Sequence, residues 1–188
     1  MSRNRLRIAV AALIAATAAV AVLAVQQWPA PPSRALFQVT GTPAAPLRGT
    51  DAAWLGLMIA MNESMLVLLD RAGPRTTDPG LATFVTTLAG THRSELADLL
   101  GRAERGQLRI TDEHAGHELP GIVTEADLAR VEALRDAAFD AAVRECLREH
   151  LEQGARLAGS EQRSGTDEET RRLAARVERA RRADLARL

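Results

Sequence analysis

Residues 51–99 read DAAWLGLMIAMNESMLVLLDRAGPRTTDPGLATFVTTLAGTHRSELADL, and residues 140–188 read DAAVRECLREHLEQGARLAGSEQRSGTDEETRRLAARVERARRADLARL. Laid over one another at an offset of 89, without a gap, they agree at eleven of forty-nine positions. Composition bias inflates that figure, so the placement of the matches matters more than their number. Asp51-Ala52-Ala53 falls on Asp140-Ala141-Ala142, Glu63 on Glu152 and Leu68 on Leu157. The pair Thr77-Asp78 falls on Thr166-Asp167, and Arg93, Leu96, Ala97 and Leu99 fall on Arg182, Leu185, Ala186 and Leu188. In the first stretch Trp54, Leu57, Met58, Met61, Met65, Leu66, Leu68 and Leu69 recur at spacings of three and four, the period of a helix with one apolar face. Gly73-Pro74 ends that helix. Asp78-Pro79 supplies a cap followed by a first-turn proline, and a second helix runs to about Arg105, where Gly106 stops it. After a loop over 107–123, Thr124 opens a short helical stretch with Asp127 placed for a capping box. Asp136 to about Glu161 forms the third long helix, and Thr166 or Asp167 caps the last, which carries Leu173, Val177, Leu185 and Leu188. Neither hairpin can bury its apolar face alone. Two of them predict an all-α, up-and-down four-helix bundle made of repeats 51–105 and 136–188, joined by the loop 106–123.

Composition supports helix. Ala, Leu and Arg, all strong helix formers, dominate the 188 residues, and aromatics, which favour strands, make up only 3%. All 24 basic residues are Arg, balanced by 24 acidic ones, so no net charge points to a nucleic-acid partner. The single cysteine, Cys146, excludes an intrachain disulfide and reads as a small buried apolar residue.

Ahead of the bundle, Arg3, Arg5 and Arg7 precede an uncharged apolar run from Ile8 to Val25. A cationic flank before such a run begins a signal peptide or a signal anchor. As a helix the run spans about 27 Å, close to the hydrocarbon thickness of a bilayer. Trp28 stands where an interfacial aromatic would lie, while Val22-Leu23-Ala24 offers small residues to a signal peptidase. Anchor and cleaved signal both remain open over 1–28, and both put the following domain outside the cytoplasm. The membrane, through this segment, is the one partner expected. Residues 29–50 contain five prolines and read as an extended linker.

The duplicated hairpin, its export signal and the connecting residues His114-Ala115-Gly116-His117-Glu118-Leu119-Pro120-Gly121-Ile122 together resemble the DUF305 family. Phe139-Asp140 at the start of the second repeat and His92-Arg93-Ser94-Glu95-Leu96 in the first add to the resemblance, which covers about 51–188. It implies a ferritin-like bundle. Some members of that family bind copper, for which Met and His are apt ligands. This chain departs from the family pattern where the donors lie: Met61-Asn62 and His150-Leu151 stand in place of two His-His pairs, and Leu119 and Ile122 in place of two methionines.

Candidate chemistry is sparse. His114 and His117, three apart in a loop with Glu113 and Glu118, could hold one ion with His92 or His150 completing the set across the bundle; the competing reading is a solvated polar loop. His92 with Glu95, and His150 with Glu161, share helix faces and read as surface polar stripes. Met58, Met61 and Met65 lie on one face and read as core, with thioether ligation of Cu(I) as the alternative. The arginines of the last helix, Arg171, Arg172, Arg176, Arg179, Arg181, Arg182 and Arg187, read as a solvated face. No Glu-x-x-His occurs for a di-iron centre, no glycine-flanked serine elbow and no phosphate loop. The leading expectation is a non-enzymatic exported binding module with no resident cofactor. The second is a copper-type metal-handling protein, and an enzyme comes third.

Overall fold

The computed structural model describes residues 46–110 and 119–188. The signal or anchor segment, most of the proline-rich linker and the loop histidines His114 and His117 lie outside them. The described residues form five helices and no strand: α1 Gly49–Ala72, α2 Pro79–Arg105, α3 Glu125–Glu132, α4 Asp136–Ser164 and α5 Glu168–Leu185. The hairpins α1–α2 and α4–α5 are each closely packed, and α1 lies against α4 between them. α2 touches α5 more lightly, and short α3 packs on α4.

The helix boundaries follow from local chemistry. The Asp78 carboxylate accepts from the backbone N–H groups of Gly80 and Leu81 ahead of α2, with Pro79 in the first turn. Thr124 and Asp127 form the reciprocal capping box that opens α3. Asp167, rather than Thr166, caps α5 by accepting from the Thr170 N–H. The break before α4 falls at 133–135. There the Arg75 guanidinium donates to the carbonyls of Glu132 and Leu134 and lies 4.2 Å over the Phe139 ring. The bundle takes in more chain than the periodicity from Asp51 suggests: Leu47 is buried, and its N–H donates to the Gly106 carbonyl at 2.8 Å.

α1 is long and apolar enough to cross a membrane by length and composition alone, yet half of that stretch is buried within the bundle. Its Met58, Met61 and Met65 are fully buried, as core residues. The interior has two apolar clusters. One gathers Met65, Leu69, Phe84, Leu88, Phe139 and Leu147 around the α1–α2 turn. The other gathers Trp54, Met58, Leu99, Ala158, Leu173 and Val177 toward the opposite end. Cys146 joins the first as a buried side chain.

The two hairpins are locked to each other by matching carboxylates. Asp140 of α4 reaches the α1–α2 turn, where it accepts from the Thr77 N–H, the Thr77 hydroxyl at 2.6 Å and the Asp78 N–H at 3.0 Å. Asp51 of α1 reaches the α4–α5 turn and accepts from the Thr166 N–H, the Thr166 hydroxyl at 2.7 Å and the Asp167 N–H at 3.0 Å. Every member of one clasp is 89 residues from its counterpart in the other. Burial pushes both carboxyls up, but the donated hydrogen bonds outweigh it and hold both below the usual carboxylate range. Asp140→Ala orphans two backbone N–H groups at a helix start, and we expect it to cost about 2–3 kcal/mol. Chemical denaturation should give a similar cost for Asp51→Ala and a smaller one for either Asn variant, which keeps one acceptor.

Candidate functional site

Between the two apolar clusters lies a layer of buried polar side chains, one or two from each long helix: Asn62 from α1, His92 and Glu95 from α2, His150 from α4 and Arg181 from α5. Asn62, His92, His150 and Arg181 are each no more than 1% exposed. The surface stripes expected for His92 and His150 are therefore overturned, as is the solvated face for Arg181. Glu161, also expected on the surface, is 1% exposed. The signal for this burial is present in the sequence. His92 is four residues beyond Leu88 and seven before Leu99, and Arg181 is four beyond Val177 and four before Leu185. Each interrupts an apolar stripe at the helical period, so its position puts it inside whatever its polarity.

Arg181 anchors one half of the layer. Its Nη2 donates to Glu95 Oε1 at 2.5 Å, and Asn62 Nδ2 donates to the same oxygen at 3.0 Å and to the Met58 carbonyl at 2.8 Å. Gly154 of α4 makes room for the guanidinium: a Cβ there would lie 3.1 Å from Arg181 Nε.

The other half is the histidine pair. His92 Nε2 and His150 Nε2 are 3.0 Å apart, and His150 Nδ1 is 2.9 Å from the Gly121 carbonyl. A carbonyl only accepts, so His150 carries its proton on Nδ1 and presents a lone pair at Nε2, to which His92 Nε2–H donates. That leaves His92 Nδ1 as a buried lone pair with no partner. The Leu88 carbonyl one turn earlier favours a proton on His92, but a third proton would bring a net positive charge next to Arg181. Burial first, and the Arg181 charge second, push His150 down to about 3. The same causes, with His150 itself third, hold His92 well below the ordinary imidazole value. The pair is neutral at physiological pH.

The Gly121 carbonyl is aimed by a tight turn. Ile122 N–H donates to the Leu119 carbonyl at 3.1 Å, and Gly121 has φ of +83°. Pro at the second position and Gly with positive φ at the third are what a type II turn requires. A Cβ on Gly121 would stand 2.8 Å from both Met61 Cε and Gln153 Cβ. Gly121→Ala thus combines backbone strain with overpacking, and a loss of about 2–4 kcal/mol is expected in thermal or urea unfolding.

Of the four candidate metal ligands, the structure brings His92 and His150 together; His114 and His117 fall outside the described residues. No group of three or more His, Cys, Asp or Glu side chains suited to a metal occurs among the described residues. The imidazole pair by itself is a poor fit for a cation. Each Nε2 is engaged with the other, and the Arg181 guanidinium that disfavours a proton there also disfavours a metal ion. Cys146 is buried and its thiol is pushed up by burial, so it is no nucleophile. Arg102, 1% exposed, is a further buried group that sequence reading missed; it donates to Thr170 at 3.1 Å and pairs with Asp167 at 2.7 Å, tying α2 to the start of α5.

A closed helical bundle with an internal polar layer defines a class rather than an activity. The family model described as domain of unknown function DUF305 matches residues 100–188, bearing out the resemblance read from the sequence. Two solved structures of that family share the fold. One is a DUF305 protein from Streptomyces coelicolor, named as a candidate secreted protein, with 17% identity, a TM-score of 0.64, and 73% of this chain and 88% of that one covered. The other is a DUF305 fragment from Deinococcus radiodurans, with 14% identity, a TM-score of 0.66, and coverage of 75% and 93%. No curated protein matches the chain.

Proposed function

We propose that the chain is an exported, non-enzymatic bundle of two duplicated hairpins, a rigid binding or scaffold module held outside the cytoplasm by its N-terminal segment. The observation that carries the non-enzymatic reading is the histidine pair. The two histidines with described positions are buried, neutral and turned on each other, so their chemistry is spent on joining α2 to α4 and to the Gly121 turn. The duplication is supported by the two clasps at the common offset of 89 residues. Export is supported by Arg3, Arg5 and Arg7 ahead of the Ile8–Val25 run. A reporter enzyme active only outside the cytoplasm, fused after Leu188, should be active. An inactive but intact fusion overturns export.

Copper-type metal binding is the second reading, and one observation favours it: two imidazole nitrogens already face each other at 3.0 Å. An ion held at the ~2.0–2.1 Å usual for histidine nitrogen would subtend only about 95° between atoms so close. The rings must part by about 0.3 Å for a tetrahedral site. Equilibrium dialysis with Cu(I), Cu(II) and Zn(II) separates the readings. The non-enzymatic scaffold predicts no binding tighter than micromolar in wild type. Tight binding lost in His92→Gln/His150→Gln would assign it to the buried pair, and tight binding lost in His114→Ala/His117→Ala to the loop.

A further inference from the structure

The two clasps differ in one respect. Beside Asp51 stands Glu161 of α4, whereas the position 89 residues earlier, beside Asp140, is Ala72. Glu161 is 1% exposed, and neither of its carboxyl oxygens has a hydrogen-bond donor among the described residues. The groups facing it are acidic on balance: Asp51 from α1 and Asp167 at the start of α5, against Arg171 of α5. The buried cation from α2, Arg102, is committed to Asp167 at 2.7 Å. A carboxyl so placed has one way to be satisfied, which is to keep its proton and donate to the neighbouring carboxylate. Asp51 has every donor it needs from Thr166 and Asp167 to remain the ionised partner.

We propose that the clasp between α1 and the α4–α5 turn is a proton-dependent latch, closed by a proton shared between Glu161 and Asp51 and loosened when that proton passes to solvent. Loss of the proton leaves two adjacent carboxylates, with Asp167 as a third, inside the seam where Asp51 grips the turn. Repulsion acts on that grip first. The Asp140 clasp, with Ala72 in the matching place, has no such group and serves as a built-in control. Burial, followed by the Asp51 carboxylate, pushes Glu161 up to about 8. The latch therefore works on the alkaline side of neutrality.

Amide hydrogen exchange on the full chain, measured by NMR from pH 6.5 to 9 and corrected for intrinsic exchange, tests the proposal. Protection at Thr166 and Asp167 should fall about tenfold further than at Thr77 and Asp78 across that range. Glu161→Gln keeps a donor to Asp51 without a titratable proton, so the difference between the clasps should vanish. Glu161→Ala, which copies Ala72, should remove it too. Equal pH dependence of the two clasps in the wild-type chain, or a difference that survives in either variant, overturns the latch.

Discussion

Arg181→Met is expected to destabilise the bundle by about 3–5 kcal/mol, more than any other single change in the last helix. The guanidinium is 1% exposed and holds Glu95, whose side chain is 12% exposed. Removing it leaves a nearly buried carboxylate with only the Asn62 amide as donor, and an unfilled space opposite Gly154. The next residue supplies the contrast. Arg182 pairs with Glu178 one turn away, but its side chain is 70% exposed, and Arg182→Met should change stability by no more than about 0.5 kcal/mol. Urea denaturation of the two variants decides whether burial or mere ion pairing sets the cost. Glu95→Gln should also be severe, since it strands the buried arginine. The double variant Glu95→Gln/Arg181→Met should cost less than the sum of the singles, because the second change removes the charge that the first left unpaired. Equal losses in Arg181→Met and Arg182→Met, or strict additivity in the double, would show that the layer carries no special weight.

The same contrast explains what was legible in the sequence. Caps and breaks were, because they depend on neighbours along the chain: Asp78 before Pro79, Thr124 with Asp127, Gly106 after Arg105. The burial of Met58, Met61 and Met65 was legible too, because composition and period agree there. At His92, His150, Arg181 and Glu161 they conflict: the period places these residues inside and the residue type argues for outside. What tipped the balance lies in other helices, namely Glu95 for Arg181, the Gly121 turn for His150, and Asp51 for Glu161. Glu95 is 86 residues from Arg181 and Asp51 is 110 from Glu161; Gly121 is 29 from His150, through a turn whose residues say nothing of histidine. The sequence singled out His92 and His150 as metal ligands completing a set with the loop pair. Their pairing with each other needed the α2–α4 packing.

Lowering the pH from 7 to 5 should remove about 2 kcal/mol of stability through His150 alone. The unfolded chain takes up a proton near the ordinary imidazole value of 6.5, while the folded chain resists one until about 3. The unfolded state therefore binds more protons throughout that interval. The contribution is fully present above 6.5 and is lost progressively as pH falls toward 3; His92, shifted in the same direction, adds to it. The clasp carboxylates Asp51 and Asp140, held low, add their own loss only as pH falls past the ordinary carboxylate value of 3.8. Glu161 has the opposite sign. Its folded value is raised from 4.5 to about 8, so its contribution is present below 4.5 and is lost as pH climbs toward 8, which masks part of the histidine effect. Glu161→Gln is therefore the right background. In it, the free energy of unfolding should fall steeply between pH 7 and 5, and His92→Leu/His150→Leu should flatten that fall even though the double variant changes absolute stability. An undiminished fall in the double variant would mean that some other group takes up the proton. A flat profile in the Glu161→Gln parent would mean that the pair accepts its third proton without penalty, against the charge of Arg181.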